Sequence, residues 1–128
     1  MNQELWDKVV KKHGHECPGV ALGYRIGEEV IRIFSENEDV MCVTSVTNCA
    51  VDGICQTAGL SLEKGTMRID PEIEGFIFYA LDDEEGWQFL PKKLDVAEEA
   101  DPVLMILAAR RDMLFDIVPC DAPVAGQV

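Results

Sequence analysis

Basic residues are scarce in this sequence: 11 lysines and arginines stand against 24 aspartates and glutamates, which gives a net charge of −13. Such a field repels phosphate backbones and anionic lipid headgroups. We therefore expect neither nucleic acid nor a membrane surface among the partners of this protein. Histidine is scarcer still, because the chain has only His13 and His15. A function that needs an imidazole must use this one short segment.

The sequence also lacks long apolar runs, internal repeats and linkers rich in serine or glycine. No run approaches the roughly 20 residues that span a bilayer, and the first residues lack the pattern of a secretory leader. These features predict a cytoplasmic protein with one domain over residues 1–128, large enough to need no disulfide framework. Five cysteines are an odd number in such a chain. We therefore expect reduced thiols, which can serve as ligands.

The most informative motif is HGHECPG, residues 13–19. If the segment runs extended, the side chains of His13, His15 and Cys17 point to one side and can converge. Pro18 favours the first turn of a helix, which makes Cys17 the predicted N-cap residue and lowers the expected pKa of its thiol. A surface loop with a small apolar cysteine is the alternative, since the spacing matches no standard zinc motif.

Two helices and a strand are predicted around this motif. Residues 2–12 form an amphipathic pattern, and a broad apolar face extends from Pro18 to about Asn37. Gly23 and Gly27 within that face indicate a close approach, either by the core or by a second subunit. Residues 40–47 are rich in β-branched side chains and predict a strand. Residues 50–60 then predict a helix with Asn48 or Cys49 as N-cap, so a second cysteine is expected at a helix N-terminus.

The second half of the chain predicts most of the sheet. The pattern predicts a hairpin formed by residues 66–70 and 75–81, and an edge strand or a loop over residues 87–90. It also predicts a helix over residues 101–113. Residues 114–118 are expected to extend or to pack on the core, and a mobile tail is expected from about residue 119. The acidic run at residues 82–85 is typical of a solvated turn. The predicted fold class is α+β, with helices packed on one face of a small, mostly antiparallel sheet.

Two segments carry a family resemblance. The sequences HGHECPGVALGYRIG (residues 13–27) and CAVDGICQTAGLSLEKG (residues 49–65) resemble the formylmethanofuran dehydrogenase E-subunit family. The resemblance extends over residues 5 to 118 and implies a core domain without the C-terminal zinc ribbon of some relatives. It also implies an intimate homodimer and a pocket built from both motifs. The family positions carried over are His13, His15, Cys17, Cys49, Asp52, Lys64 and Gly65. The chain departs from the family at Cys55, Leu60 and Glu63.

The leading hypothesis is a metal site, with zinc as the expected ion, another divalent transition metal as the alternative, and His15, Cys17 and Cys49 as the ligands. The candidate catalytic residues are His13, Cys49, Asp52 and Lys64. Asp52 could orient a histidine or act as a base, and Lys64 could stabilise negative charge. One alternative is a non-catalytic accessory subunit, or a metal or cofactor carrier, for a molybdenum or tungsten oxidoreductase partner. The other is a metal-free enzyme that uses an activated thiol.

Overall fold

A computed structural model describes residues 2–34, 39–81, 83–95 and 97–123. Within these ranges the helices are α1 (Gln3–His13), α2 (Pro18–Ile33), α3 (Cys49–Ala58), α4 (Pro102–Ala108) and α5 (Arg111–Leu114). The strands are β1 (Val40–Thr44), β2 (Met67–Ile69), β3 (Phe76–Ala80), β4 (Glu85–Pro91) and β5 (Phe115–Asp121). No helix in the described ranges is long and apolar enough to cross a membrane. The second helix, predicted to extend to about Asn37, ends at Ile33, because Phe34 is extended, with ψ 141°. Asn37 itself and part of the acidic run, Asp82, lie outside the described residues.

The strands form one sheet in the order β2-β1-β3-β4-β5. Only the β1–β2 pair is parallel, and the other three pairs are antiparallel. The predicted α+β class is therefore confirmed. The predicted hairpin of residues 66–70 with 75–81 is wrong, because β1 lies between β2 and β3. The reason is α3, which connects β1 to β2 as the crossover that a parallel pair requires.

Two further predictions about the second half of the chain need correction. Residues 119–121, expected at the start of a mobile tail, belong to β5 and pair with β4. Consequently β4 is an interior strand and not an edge. The helix predicted over residues 101–113 ends at Ala108, because Ala109 and Arg110 are extended, with ψ near 150°. The side chain of Arg25 accounts for that stop, since its Nη1 donates to the carbonyls of Ile106, Leu107 and Ala109 at 2.8–3.0 Å.

The helices bury one face of the sheet. Tyr24 of α2 and Ile54 of α3 are fully buried together with Phe78 and Phe89 of the central strands. Each such side chain contributes about 1.5–3 kcal/mol through removal of apolar surface from water. A smaller cluster of Val43, Ile77 and Tyr79 lies in a second group apart from this core. The main core therefore holds α2 and α3 against the sheet.

A seam of small residues sets how α2 and α3 meet. Gly19 lies against Cys49, Gly23 against Gly53, and Gly27 against Thr57. Since the contacts advance together along both helices, α2 and α3 run parallel. A Cβ on Gly53 would lie 2.6 Å from the carbonyl oxygen of Val20, so this seam has no room for larger side chains. Gly23 and Gly27 thus serve contact within the core, and the N-termini of both helices lie at the same end.

Candidate metal centre

Three helix ends meet at the N-terminal end of the α2–α3 pair. His13 is the last residue of α1, Cys17 is the N-cap of α2, and Cys49 is the first residue of α3. His15 lies on the link between α1 and α2. The seam of small residues therefore brings the HGHECPG motif next to a cysteine 32 positions away from Cys17 in the sequence.

The link between α1 and α2 folds differently from the sequence expectation. The sequence predicted an extended segment from His13 to Cys17, whereas His13 is helical and Gly14 adopts φ +99° as the left-handed cap of α1. The Gly14 N–H donates to the carbonyl of Val10 at 2.8 Å. This turn returns His15 toward His13, so that their ring centroids lie 4.5 Å apart. The predicted convergence is present, but a glycine turn produces it and strand alternation does not.

Cys17 occupies the N-cap position that the sequence predicted. Its Sγ accepts the N–H of Val20 at 3.4 Å and lies 3.7 Å from Nε2 of His13. Burial alone would raise the pKa of this thiol, but the Val20 N–H, the thiol of Cys49 and His13 together lower it. The environment therefore favours the thiolate, which is the form that binds metals.

Cys49 enters the site because Asn48 caps α3. The Asn48 side chain accepts the N–H groups of Ala50 and Val51 at 3.0 and 3.4 Å, which resolves the two N-cap alternatives in favour of Asn48. The neighbouring Cys17 raises the pKa of the Cys49 thiol through their hydrogen bond. In the metal-free site, the state in which the two sulfurs share one proton is therefore favoured over the state in which both are ionised.

Asp52 holds His13 in place. Its Oδ2 lies 2.6 Å from Nδ1 of His13, and the side chains are 39% and 11% exposed, respectively. The hydrogen bond to Asp52 raises the pKa of His13 above its ordinary value of 6.5. Because the carboxylate accepts the Nδ1–H, the neutral imidazole presents the lone pair of Nε2 toward Cys17. This is the arrangement by which a carboxylate orients a metal-binding histidine.

Four donor atoms converge in the site. One ligand atom each from His13, His15, Cys17 and Cys49 lies within 4.8 Å of all the others. Around a tetrahedral zinc ion, neighbouring nitrogen and sulfur donors are separated by about 3.5–3.8 Å. The 3.7 Å between His13 Nε2 and Cys17 Sγ already matches one edge of such a tetrahedron. The set of two imidazoles and two thiols is chemically suited to a borderline divalent metal.

Lys64 and Gly65, the other positions implied by the resemblance, lie away from this cluster. Both line a cavity of about 770 Å³ at the opposite end of α3, together with Val30, Phe34 and Leu60. The length of α3 alone separates its two ends by about 14 Å. The structure therefore brings together His13, His15, Cys17, Cys49 and Asp52 but not Lys64. No sequence pattern signalled the cavity, because its walls come from distant segments.

The remaining cysteines lie outside the cluster. Cys42 is fully buried in β1, and burial raises its pKa strongly. Burial also raises the pKa of Cys55 to about 11, and it raises the pKa of Cys120. These three thiols are therefore disfavoured as thiolates, in contrast to Cys17.

A segment of this chain is similar to one protein of the archaeon Archaeoglobus fulgidus, described as a probable S-adenosyl-L-methionine-binding protein. The two are 33% identical over 63 residues, which cover 43% of this chain and 17% of the relative. Since the chain spans about a sixth of that protein's length, the similarity concerns only a part of it.

A family model covers far more of the chain. It is described as FmdE, molybdenum formylmethanofuran dehydrogenase operon, and it matches residues 12–112. The matched range includes His13, His15, Cys17, Cys49 and Asp52. It also includes α2, α3 and the strands β1 to β4. The chain therefore belongs to the FmdE family, the formylmethanofuran dehydrogenase E-subunit family.

Proposed function

We propose that this protein binds one zinc ion through His13, Cys17, Cys49 and His15. The observation that carries the proposal is the convergence of four nitrogen and sulfur donors within 4.8 Å of one another. Two imidazoles and two thiolates are a common zinc donor set, whereas magnesium and calcium prefer oxygen ligands. The proposal adds His13 to the ligands expected from the sequence, since its Nε2 faces Cys17 at 3.7 Å.

His15 differs from the other three donors in its exposure. It is exposed to solvent, while His13, Cys17 and Cys49 are partly buried. We infer that His15 is the ligand that a water molecule or a substrate replaces. Zinc with three protein ligands and one open position acts as a Lewis acid and lowers the pKa of bound water. On this proposal the site is catalytic, and His15 controls access to it.

Asp52 is proposed as a positioning residue for His13. Its carboxylate fixes which ring nitrogen of His13 carries the proton and thereby directs Nε2 into the site. Because the side chain of Asp52 is 39% exposed, it can also act as a general base toward a water molecule at the site. Cys49 is assigned as a ligand and, within this proposal, not as a nucleophile.

Elemental mass spectrometry of the untagged protein tests the zinc proposal. We expect about one zinc per chain in the wild type, and a loss of most bound zinc in Cys17→Ser and in Cys49→Ser. Cys55→Ser is the matched control, because Cys55 lies on the same helix as Cys49 but outside the cluster. Its zinc content should equal that of the wild type. A wild type that binds no zinc after reconstitution under reducing conditions would contradict the proposal.

An accessory role is a second candidate function. It is supported by membership of a family described through the formylmethanofuran dehydrogenase operon and by the net charge of −13, which suits a basic surface on a partner. Under this proposal the zinc site is structural or delivers metal to a molybdenum or tungsten oxidoreductase. Salt-sensitive co-purification of such an enzyme with this chain would support it. Turnover of a substrate by the isolated chain would favour the catalytic function.

We also propose a homodimer, as the family resemblance implies. The exposed apolar side chains of Ile31 and Leu81, about half exposed, lie beside the cavity and would gain from burial in an interface. Sedimentation equilibrium should give twice the chain mass of 14.2 kDa. A monomer at micromolar concentration would contradict this proposal and leave the zinc site untouched.

A further inference from the structure

We propose that Cys17 and Cys49 are an oxidative modification site: a hydroperoxide converts them to an intramolecular disulfide and so removes both sulfur donors from the metal centre. The disulfide itself requires only the metal-free chain. The consequence, release of the metal, rests on the proposed zinc function.

The two sulfur atoms are placed for this reaction. They lie within 4.8 Å of each other, and Cys49 packs directly on Gly19, where an added Cβ would meet the Cβ of Cys49 at 2.8 Å. A side chain at position 19 would therefore push Cys49 out of its present position. Both residues are partly exposed, so a small oxidant can reach them.

The place of each cysteine at the start of its helix leaves its side chain free to rotate. A disulfide needs an S–S distance of about 2.05 Å, which requires rotation of at least one side chain. Cys17 is extended, with φ −151° and ψ 160°, and precedes α2, while Cys49 is the first residue of α3. Neither has a preceding helical turn of its own helix to restrict χ1, as a cysteine within a helix would have. Both side chains can therefore rotate, and rotation of Cys17 gives up the hydrogen bond that its Sγ accepts from the Val20 N–H at 3.4 Å.

The chemistry needs one hydroperoxide, such as hydrogen peroxide. The Cys17 thiolate attacks one oxygen, the S–O bond forms, the O–O bond breaks and hydroxide leaves to be protonated as water. The Cys49 thiolate then attacks the Cys17 sulfur, the S–S bond forms, and the S–O bond breaks with loss of a second hydroxide. The two thiols lose two electrons in total, and the peroxide is reduced to two water molecules.

Non-reducing peptide mass spectrometry after treatment of the metal-free chain with hydrogen peroxide tests the disulfide. Cleavage at lysine and arginine places Cys17 in residues 13–25 and Cys49 in residues 33–64, and cleavage before Asp52 separates Cys49 from Cys55. We expect the first peptide linked through Cys49, with loss of that linkage in Cys49→Ser and its retention in Cys55→Ser. Oxidation of Cys17 to sulfinic acid without linkage, or linkage to Cys55, would overturn the proposal.

The consequence is measured on the zinc-loaded chain with a coloured chelator that reports free zinc. We expect one zinc released for each disulfide formed, and recovery of binding after reduction. Disulfide formation without zinc release would overturn the claim that the modification empties the metal centre. A chain that binds no zinc yet forms the disulfide would contradict the proposed function while the modification site stands, so the two failures are distinguishable.

Discussion

The two ends of the α2–α3 pair carry opposite chemistry. At the N-terminal end, two imidazoles and two thiols converge within 4.8 Å. At the C-terminal end, apolar side chains such as Val30, Phe34 and Leu60 line a cavity of about 770 Å³, and Lys64 is the lysine in its wall. Both ends are positioned by the same glycine seam. Both ends therefore belong to the same pair of packed helices, and they differ because one is the N-terminal end and the other the C-terminal end.

Parallel helices explain this division. Each helix has a positive dipole end at its N-terminus and a negative end at its C-terminus. Because α2 and α3 run parallel, both positive ends face the His/Cys cluster, where they favour a thiolate such as that of Cys17. Both negative ends face the cavity, where a cation such as that of Lys64 is favoured. The glycine seam therefore places the His/Cys cluster at one end of the helix pair and the largely apolar cavity with Lys64 at the other.

The largest effect is expected when the seam itself is broken. A Cβ on Gly23 would overlap the carbonyl oxygen of Ala50, and backbone cannot move aside as a side chain can. We expect Gly23→Ala to lower the free energy of unfolding by about 3 kcal/mol or more. Urea unfolding followed by the fluorescence of buried Trp6 measures this loss.

The control for the seam is Gly59→Ala at the C-cap of α3. Nothing lies within 4 Å of its added Cβ, but φ is +74°. It should cost about 1 kcal/mol from backbone conformation alone. Equal losses in the two variants would contradict a seam that sets the position of both ends.

Removal of the Asp52 carboxylate, which orients His13, should weaken zinc binding at the His/Cys cluster and leave the cavity end unchanged. Asp52→Asn retains the size of the side chain but loses the charge that orients the imidazole. We expect zinc affinity to fall about 10- to 100-fold, as for other carboxylates that support a metal-binding histidine. Competition titration with a chelator of known affinity measures the change.

Glu16→Gln is the matched control for that experiment. It removes the same charge from an exposed residue next to Cys17. Since an exposed charge contributes little, its affinity should stay within about two-fold of the wild type. A similar fall in both variants would mean that Asp52 acts through net charge and not by orienting His13.

Two buried threonine hydroxyls, one in the sheet and one at the cavity end, differ in their hydrogen bonding. Thr44 in β1 donates to the carbonyl of Gly75 at 2.8 Å, whereas the hydroxyl of buried Thr57 has no hydrogen-bond partner within the described part of the chain. Thr44→Val should cost about 1–2 kcal/mol, because it removes this hydrogen bond and the hydroxyl donor of the Gly75 carbonyl. Thr57→Val should be neutral or stabilise by up to about 1 kcal/mol. Thermal unfolding of both variants tests the difference, and a larger loss in Thr57→Val would reveal a partner for that hydroxyl.

The metal-free chain should show a pH signature of the His13–Asp52 pair. Asp52 raises the pKa of His13 in the folded state, so the pair stabilises the fold below the unfolded pKa of 6.5, and that stability is lost as pH rises through the folded pKa. Asp52→Asn should therefore cost more at pH 6 than at pH 9, by less than about 1 kcal/mol because Asp52 is partly exposed. Urea unfolding at the two pH values measures it. An equal cost at both would show that the imidazolium does not depend on Asp52.

The smallest expected effect is at the far end of α3. Lys64→Ala should leave zinc affinity within about two-fold of the wild type, because Lys64 lies in the cavity wall beyond the C-terminal end of α3, a helix about 14 Å long whose other end carries the cluster. The same chelator competition measures it. A large loss of affinity would mean that the Lys64 of a second copy of the chain completes the site.

Local signals in the sequence were sufficient to predict most of the site but not the order of the strands. Pro18 and Cys17 fixed the start of α2, and Gly59 fixed the end of α3, because caps depend on a few neighbouring residues. The pairing of β2 with β1 could not be read in the same way, since a strand of three residues carries little pattern. The position of Lys64 also depended on which way α3 runs. That direction is set by contacts of Gly23 and Gly53, 30 residues apart.

X-ray absorption spectroscopy of the zinc-loaded protein identifies the atoms bound to the metal and so tests whether His13, His15, Cys17 and Cys49 are its ligands. We expect two sulfur donors at about 2.3 Å and two nitrogen donors at about 2.0–2.1 Å. In Cys49→Ser, one sulfur should be lost from that shell. A shell made only of nitrogen and oxygen donors in the wild type would contradict the account, since it would place the metal away from Cys17 and Cys49.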